Sequence, residues 1–286
     1  MKRFLTGFFA AMVIAANAGA ADLAPAQPIG EMPPEVTVTD TATGWYLRGD
    51  VGYGFNDLRG ARFYQGGSSA DEVSFDRAEL RNAFTGGVGV GYQATSYFRT
   101  DLTFDYLSRS TFRGSTSGFC GACGPGGSSV PATSRDISSL TAYSLMANAY
   151  VDLGTYAYVT PYVGAGIGGT YVKWKDLSNT SCSDDDSSSC DDTTYHHGKG
   201  SWRFSYALMA GASVDVTCNV KADVGYRYLH VSGGDMFGYA NNGGPGRDKG
   251  FDVHEARLGA RYIFGGCAQA SVEPAPEIPL QPNVYK

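Results

Sequence analysis

Residues 251–264 read FDVHEARLGARYIF, and the alternation in this stretch decides the fold. Successive side chains of a strand point to opposite faces. His254, Ala256, Leu258, Ala260, Tyr262 and Phe264 therefore share one mostly apolar face. Val253, Glu255, Arg257, Gly259, Arg261 and Ile263 share the other, which carries three charges and a glycine. Alternation alone does not say which face is buried. An apolar stripe ending in two aromatics and backed by charge suits a strand with lipid outside and a polar lumen inside.

The same pattern recurs upstream. GWYLRGDVGYGF (44–55) sets Trp45, Leu47, Val51, Tyr53 and Phe55 against Tyr46, Arg48, Asp50 and Gly52. AFTGGVGVGYQ (83–93) groups Phe84, Val88, Val90 and Tyr92, and YFRTDLTFDYL (97–107) sets Phe98, Leu102, Phe104 and Tyr106 against Arg99, Asp101 and Asp105. AYSLMANAYVDL (142–153) aligns Tyr143, Leu145, Ala147, Ala149, Val151 and Leu153. YVTPYVGAGIGGTYV (158–172) groups Val159, Val163, Ala165 and Ile167 opposite Gly164, Gly166 and Gly168. SWRFSYALMAGASVDV (201–216) aligns Trp202, Phe204, Tyr206, Leu208 and Val214. VKADVGYRYL (220–229) sets Val220, Val224, Tyr226 and Tyr228 against Lys221, Asp223 and Arg227. With the opening stretch, these make eight strands.

The connections fix the architecture. Long loops are expected over about 56–80, 108–138 and 175–200, with a fourth, glycine-rich one before residue 251. Short turns at 94–96, 154–157 and around Cys218 alternate with them. An even number of antiparallel strands, short turns at one end and long loops at the other, predicts an all-β, eight-stranded antiparallel transmembrane barrel with periplasmic turns and extracellular loops.

Composition agrees. The 286 residues include 39 Gly, 19 Tyr and 15 Phe, and only 17% are charged. A net charge of −6 gives no basic field for nucleic acid. Lys2 and Arg3, the apolar run Leu5–Ala16 and Ala18-Gly19-Ala20 read as a signal peptide over 1–20. Residues 21–43 and 265–286 read as Pro-rich periplasmic segments flanking a barrel at 44–264, the second too short for a peptidoglycan-binding domain. Beyond the signal, no stretch reaches the roughly 18 apolar residues of a membrane helix.

Eight strands enclose a lumen that side chains can fill. The inward faces carry seven bases, Arg48, Arg99, Arg203, Lys221, Arg227, Arg257 and Arg261, and seven acids, Asp50, Asp101, Asp105, Asp152, Asp215, Asp223 and Glu255. Equal numbers predict a self-compensating ion-pair network in a plugged lumen, because an unpaired buried charge is costly. A soluble lipocalin-like barrel would invert the faces, and a small porin would need the charges to part around water.

Three motifs carry a family likeness. GWYLRGDVGYGF, PYVGAGIG (161–168) and ARLGARYIF (256–264) resemble the small OmpA/OmpX-like outer-membrane barrels of Gram-negative envelopes, closest to the alphaproteobacterial Omp25/Omp31-type surface proteins. The resemblance spans roughly 44–264 and implies residence in the outer membrane, with lipid, lipopolysaccharide and the barrel-assembly machinery as partners. It also implies that Arg257, Gly259, Tyr262 and Phe264 form the insertion signal. Some relatives bind haem, which makes the adjacent His196 and His197 candidate ligands beside the reading of a silent exposed pair.

Other constellations are weaker. The glycines at 164–169 lie in a strand, so a dinucleotide cradle fails its context and they read as lumen space-makers. Asp184, Asp185, Asp186, Asp191 and Asp192 lack calcium-loop spacing and read as a solvated tip. His230 near Ser232, and His254, lack any nucleophile signature, so no enzyme and no cofactor is expected. Topology sorts the six cysteines by side: Cys120 with Cys123, Cys182 with Cys190, and the periplasmic Cys218 with Cys267.

Overall fold

The structure is a computed structural model that describes residues 43–64, 72–240 and 243–267. The signal peptide expected at 1–20, the arm as far as residue 42 and the tail beyond residue 267 lie outside the described residues. Eight strands form the wall: β1 (Gly44–Leu58), β5 (Ala83–Gln93), β6 (Phe98–Ser115), β8 (Val130–Asp152), β9 (Val159–Trp174), β12 (Gly200–Asp215), β13 (Val220–Phe237) and β14 (Gly246–Ile263). Each pairs antiparallel with its neighbours in chain order, and β14 closes on β1. A closed ring leaves no sheet edge inside lipid, where unpaired backbone groups would go unsatisfied.

The face assignments follow the alternation. Outward apolar residues such as Val88, Leu102, Ile167 and Leu258 are exposed on the wall, whereas Arg99, Asp105, Arg227 and Glu255 are buried inside it. Aromatics collect at both ends of this apolar band. Trp45 meets Tyr92 at 5.4 Å and Tyr262 meets Phe264 at 5.3 Å at the end with short turns. Tyr53–Phe84, Tyr106–Tyr143 and Tyr171–Trp202 mark the other end, with ring centroids 5.1, 5.1 and 5.6 Å apart. Two such girdles frame the hydrocarbon layer.

The wall extends well beyond the girdles, which corrects the expected loops. Residues 108–138 are mostly strand, because β6 runs to Ser115, β7 spans Ser117–Cys120 and β8 begins at Val130. Likewise β13 continues to Phe237 and β14 starts at Gly246. The long loops also hold β2 (Ala61–Tyr64), β3 (Glu72–Ser74), β4 (Arg77–Leu80), β10 (Leu177–Ser183) and β11 (Thr194–His196). The apolar period fades there because the outer face meets water instead of lipid, so Ser, Thr and Arg replace Leu and Val. β8 has 23 residues. About 9–11 suffice to cross a bilayer, so more than half of it stands outside. Its outer part is flanked by β7 and β10, and β11 pairs with β10, giving a small sheet that rises from the barrel.

Three disulfides join Cys120–Cys123, Cys182–Cys190 and Cys218–Cys267, with Cα separations of 5.5, 4.0 and 5.0 Å. The third ties the β12–β13 turn to the chain just past β14. The register explains it: Val220 lies opposite Tyr262, and the Ile263 amide donates to the Asn219 carbonyl at 2.7 Å. Non-reducing peptide mapping of protein purified without reductant is expected to recover a peptide joining Cys218 to Cys267. Free thiols at both positions, or either cysteine bridged to one of the other four, would contradict the topology.

Candidate functional site: the lumen and the extracellular platform

The inward faces of the wall stack in layers. Nearest the short turns, the half-exposed pair Lys221–Asp215 (2.7 Å) borders an open vestibule of about 550 Å³. Above it Arg261 binds Asp223 at 2.7 Å and Arg99 binds Asp152 at 3.1 Å. Among the described residues, the Arg99 nitrogen Nη2 has no hydrogen-bond partner. The Arg99 guanidinium instead lies 4.2 Å from the ring centre of Tyr150 and 4.7 Å from that of Tyr162, a cation–π arrangement that partly replaces water.

The next layer is a continuous network. Arg48 bridges Asp50 and Asp101, each at 2.8 Å, and also donates to Tyr150 Oη at 2.8 Å. Asp101 accepts further bonds from Tyr46 Oη (3.1 Å) and Asn148 Nδ2 (2.8 Å). Arg227 joins Asp105 at 2.8 Å to Glu255 at 2.7 Å, and Arg257 reaches Asp105 at 2.6 Å. Glycines make room for these groups. A Cβ at Gly164 would strike the Tyr150 ring, one at Gly166 the Asn148 amide, and one at Gly91 the Tyr46 ring.

Above the charges comes an apolar layer of which the sequence reading places only Val253 on the inward face. Leu107, Ala142, Leu229, Val231, Phe251 and Val253 point inward and are buried. Over them an aromatic chain crosses the mouth: Phe63–Phe75 at 5.1 Å, Phe75–Phe112 at 5.6 Å and Phe112–Trp174 at 5.7 Å. Arg203 is held here by Asp248, with contacts of 2.7 and 2.8 Å, and Trp174 Nε1 donates to the same carboxylate at 3.2 Å. Asp248 was absent from the expected acid set because it sits in a glycine-rich stretch read as loop. The residual spaces in the charged and apolar layers are each about 10 Å³. A single water needs at least about that much.

The platform is clamped from within. Ser189 Oγ donates to the Cys123 carbonyl at 2.6 Å, and Thr133 Oγ1 donates to Asp184 Oδ1 at 2.7 Å. Asp136 accepts from Ser134 Oγ and Asn179 Nδ2, both at 2.6 Å, while burial pushes its carboxyl above the usual range. The tip acids serve local geometry: Asp191 accepts the Ser181 amide at 2.7 Å, and Asp186 caps Ser188. Among the described residues no cluster of three or more metal-binding side chains occurs.

His196 and His197 do not share a site. His196 is buried against Phe237, ring centroids 5.1 Å apart, with Nδ1 3.3 Å from the Gly238 carbonyl. His197 is exposed and lies 3.6 Å from Asp176. One imidazole is buried and the other, just past the end of β11, is in solvent, so the two do not form a paired ligand set. His230 Nδ1 lies 2.6 Å from Asp252 Oδ1, and His254 Nδ1 lies 2.6 Å from Tyr226 Oη. Among the described residues no hydrogen bond links Ser232 to His230.

Residues 7–264 match the family model described as outer membrane protein beta-barrel domain. An uncharacterized protein of Brucella abortus is 37% identical over 276 residues, covering 86% of this chain and 93% of that one. A candidate adhesin of Rickettsia bellii is 29% identical over 224 residues, covering 76% of this chain and 87% of the other. Among solved structures, Neisserial surface protein A aligns over 77% of this chain and 97% of its own, at 18% identity and a TM-score of 0.40.

Proposed function

The chain belongs to the outer-membrane β-barrel domain family, and from that premise we propose a closed, non-catalytic barrel whose working part is the platform it holds at the cell surface. Closure is supported by the layered lumen, where the spaces in the charged and apolar layers are each about 10 Å³. A porin of this size would need Arg48, Arg227 and Arg257 to part from their carboxylates. Each is buried with at least two partners, and unpairing them in place costs several kcal/mol. The barrel thus serves as an anchor that preserves the envelope while presenting its outer strands.

The platform suits attachment. Its disulfides and strand pairing order the contact surface before any partner arrives, which lowers the entropic cost of binding. Phe119 and Tyr195 stand exposed on it. The Rickettsia bellii relative, by its name, points the same way. Export through residues 1–20 and insertion through Arg257, Gly259, Tyr262 and Phe264, read by the assembly machinery, complete the proposal.

Trimming the platform tests it. Thr116 and Ser134 lie side by side, joined by a backbone bond of 2.8 Å, and Asn179 pairs with Thr194. Two-residue turns can therefore replace 117–133 and 180–193 without touching the barrel. Cells displaying the full chain are expected to attach to host-cell monolayers several-fold better than cells displaying the trimmed form at equal surface density. Equal attachment would contradict a role for the platform.

A further inference from the structure

Pairing of β14 with β2 places Arg247 directly opposite Arg62. Like charges facing each other across strands destabilise a sheet, so this register calls for a compensating anion. Arg62, Arg247 and Lys249 line one extracellular pocket of about 180 Å³, together with Glu72, Asp248, Gly233 and Gly234. Glycine shapes its floor. A Cβ at Gly233 would press on the Asp248 carbonyl, and one at Gly234 on the Arg203 guanidinium.

The charges around the pocket do not cancel. Arg62 meets Glu72 at 3.1 Å, and Arg247 meets Asp235 at 3.2 Å. Asp235 is shared with Lys199 at 3.8 Å, and among the described residues Lys249 makes no ion pair. Asp248 offers no relief, because its two oxygens are already taken by Arg203, Trp174 and the Gly250 amide. Four cations, Arg62, Lys199, Arg247 and Lys249, therefore share two carboxylates, Glu72 and Asp235, among the described residues. The excess is two positive charges. A carboxylate would supply one negative charge, whereas a phosphate monoester carries about −1.5 to −2 near neutral pH and accepts the forked bonds that arginine donates.

We propose that the Arg62–Arg247–Lys249 pocket binds the phosphate monoester of a surface saccharide. The pocket lies on β14 five to seven residues beyond His254, which packs 5.4 Å from Tyr228 at the outer end of the apolar band. Both a phosphorylated outer-leaflet glycolipid headgroup and a soluble sugar phosphate present this chemistry there. This site goes beyond the anchoring role and stands whether or not the lumen conducts.

The test uses the full chain refolded in non-ionic detergent, with titration calorimetry as the readout. The probes are glucosamine 1-phosphate, a phosphorylated glycolipid dispersed in the same micelles, and the dephosphorylated glycolipid. Saturable binding of a phosphorylated probe is expected, at least tenfold tighter than that of the dephosphorylated one and weakening as salt rises. Arg247→Gln combined with Lys249→Gln should weaken it at least tenfold while the folded band persists in heat-modifiable gel mobility. Glu72→Gln, which removes a competing anion, should tighten it, an effect that loss of structure would not produce. A response to the soluble ester places recognition on the phosphate alone. A response only to the glycolipid, still lost in the double variant, assigns the site to the headgroup. Equal binding of phosphorylated and dephosphorylated probes, or binding untouched by the double variant, overturns the proposal.

Discussion

Arg227→Met is expected to destabilise the folded barrel by about 3–5 kcal/mol, the usual cost of breaking a buried pair from one side. Arg227 is buried and ties Asp105 to Glu255 through contacts of 2.8 and 2.7 Å. In its layer three arginines, Arg48, Arg227 and Arg257, face four carboxylates, Asp50, Asp101, Asp105 and Glu255. Without Arg227, two bases would face four acids in a buried layer. Adding Glu255→Gln restores the original excess of one acid, so the double variant should recover much of the loss. Reversible urea unfolding in lipid vesicles measures both. A single variant as stable as the parent, or a double variant no better than the single, would show that the layer is not a coupled network.

Leu102→Arg is expected to cost about 2–4 kcal/mol, because its side chain faces lipid near the middle of the wall. Leu102 is 47% exposed, yet its neighbour Asp101 is buried in the lumen. Phe119→Arg is the matched control. Phe119 is even more exposed, at 77%, but stands on the platform in water, so its replacement should shift stability by no more than about 0.5 kcal/mol. Assembly yields and unfolding midpoints of the two variants separate a lipid-facing surface from a solvated one. Equal tolerance at both positions would mean that the apolar band does not meet lipid.

The wall was legible in the sequence because lipid on one side and charge on the other force a strict two-residue period. Leu258 and Arg257, or Leu102 and Asp101, could hardly exchange places. The period weakens beyond the girdles, where the outer surface meets water. There β6 from Ser108 to Ser115 carries serine, arginine and threonine outside, and Phe112 is the one large apolar residue inside, between Ser110 and Gly114, so it read as loop although its ladder continues. The aromatic closure was hidden for the same reason. Phe63, Phe75, Phe112 and Trp174 come from four separate segments, and only the folded register brings them into one chain. Asp248 was lost among glycines, and with it the partner of Arg203. His196 and His197 looked like a pair in sequence, but His196 ends β11 buried against Phe237 while His197, just past it, is exposed.

Closure of the lumen is tested most directly by the conductance of single barrels in planar lipid bilayers. Neither the full chain nor the form trimmed at 117–133 and 180–193 is expected to give unitary current steps. On the proposed reading, the Arg48–Asp101 and Arg227–Asp105 layer closes the lumen without help from the platform. Reproducible steps from the full chain, persisting at neutral pH and across voltages of either sign, would show that these ion pairs part around water and that the barrel is a pore.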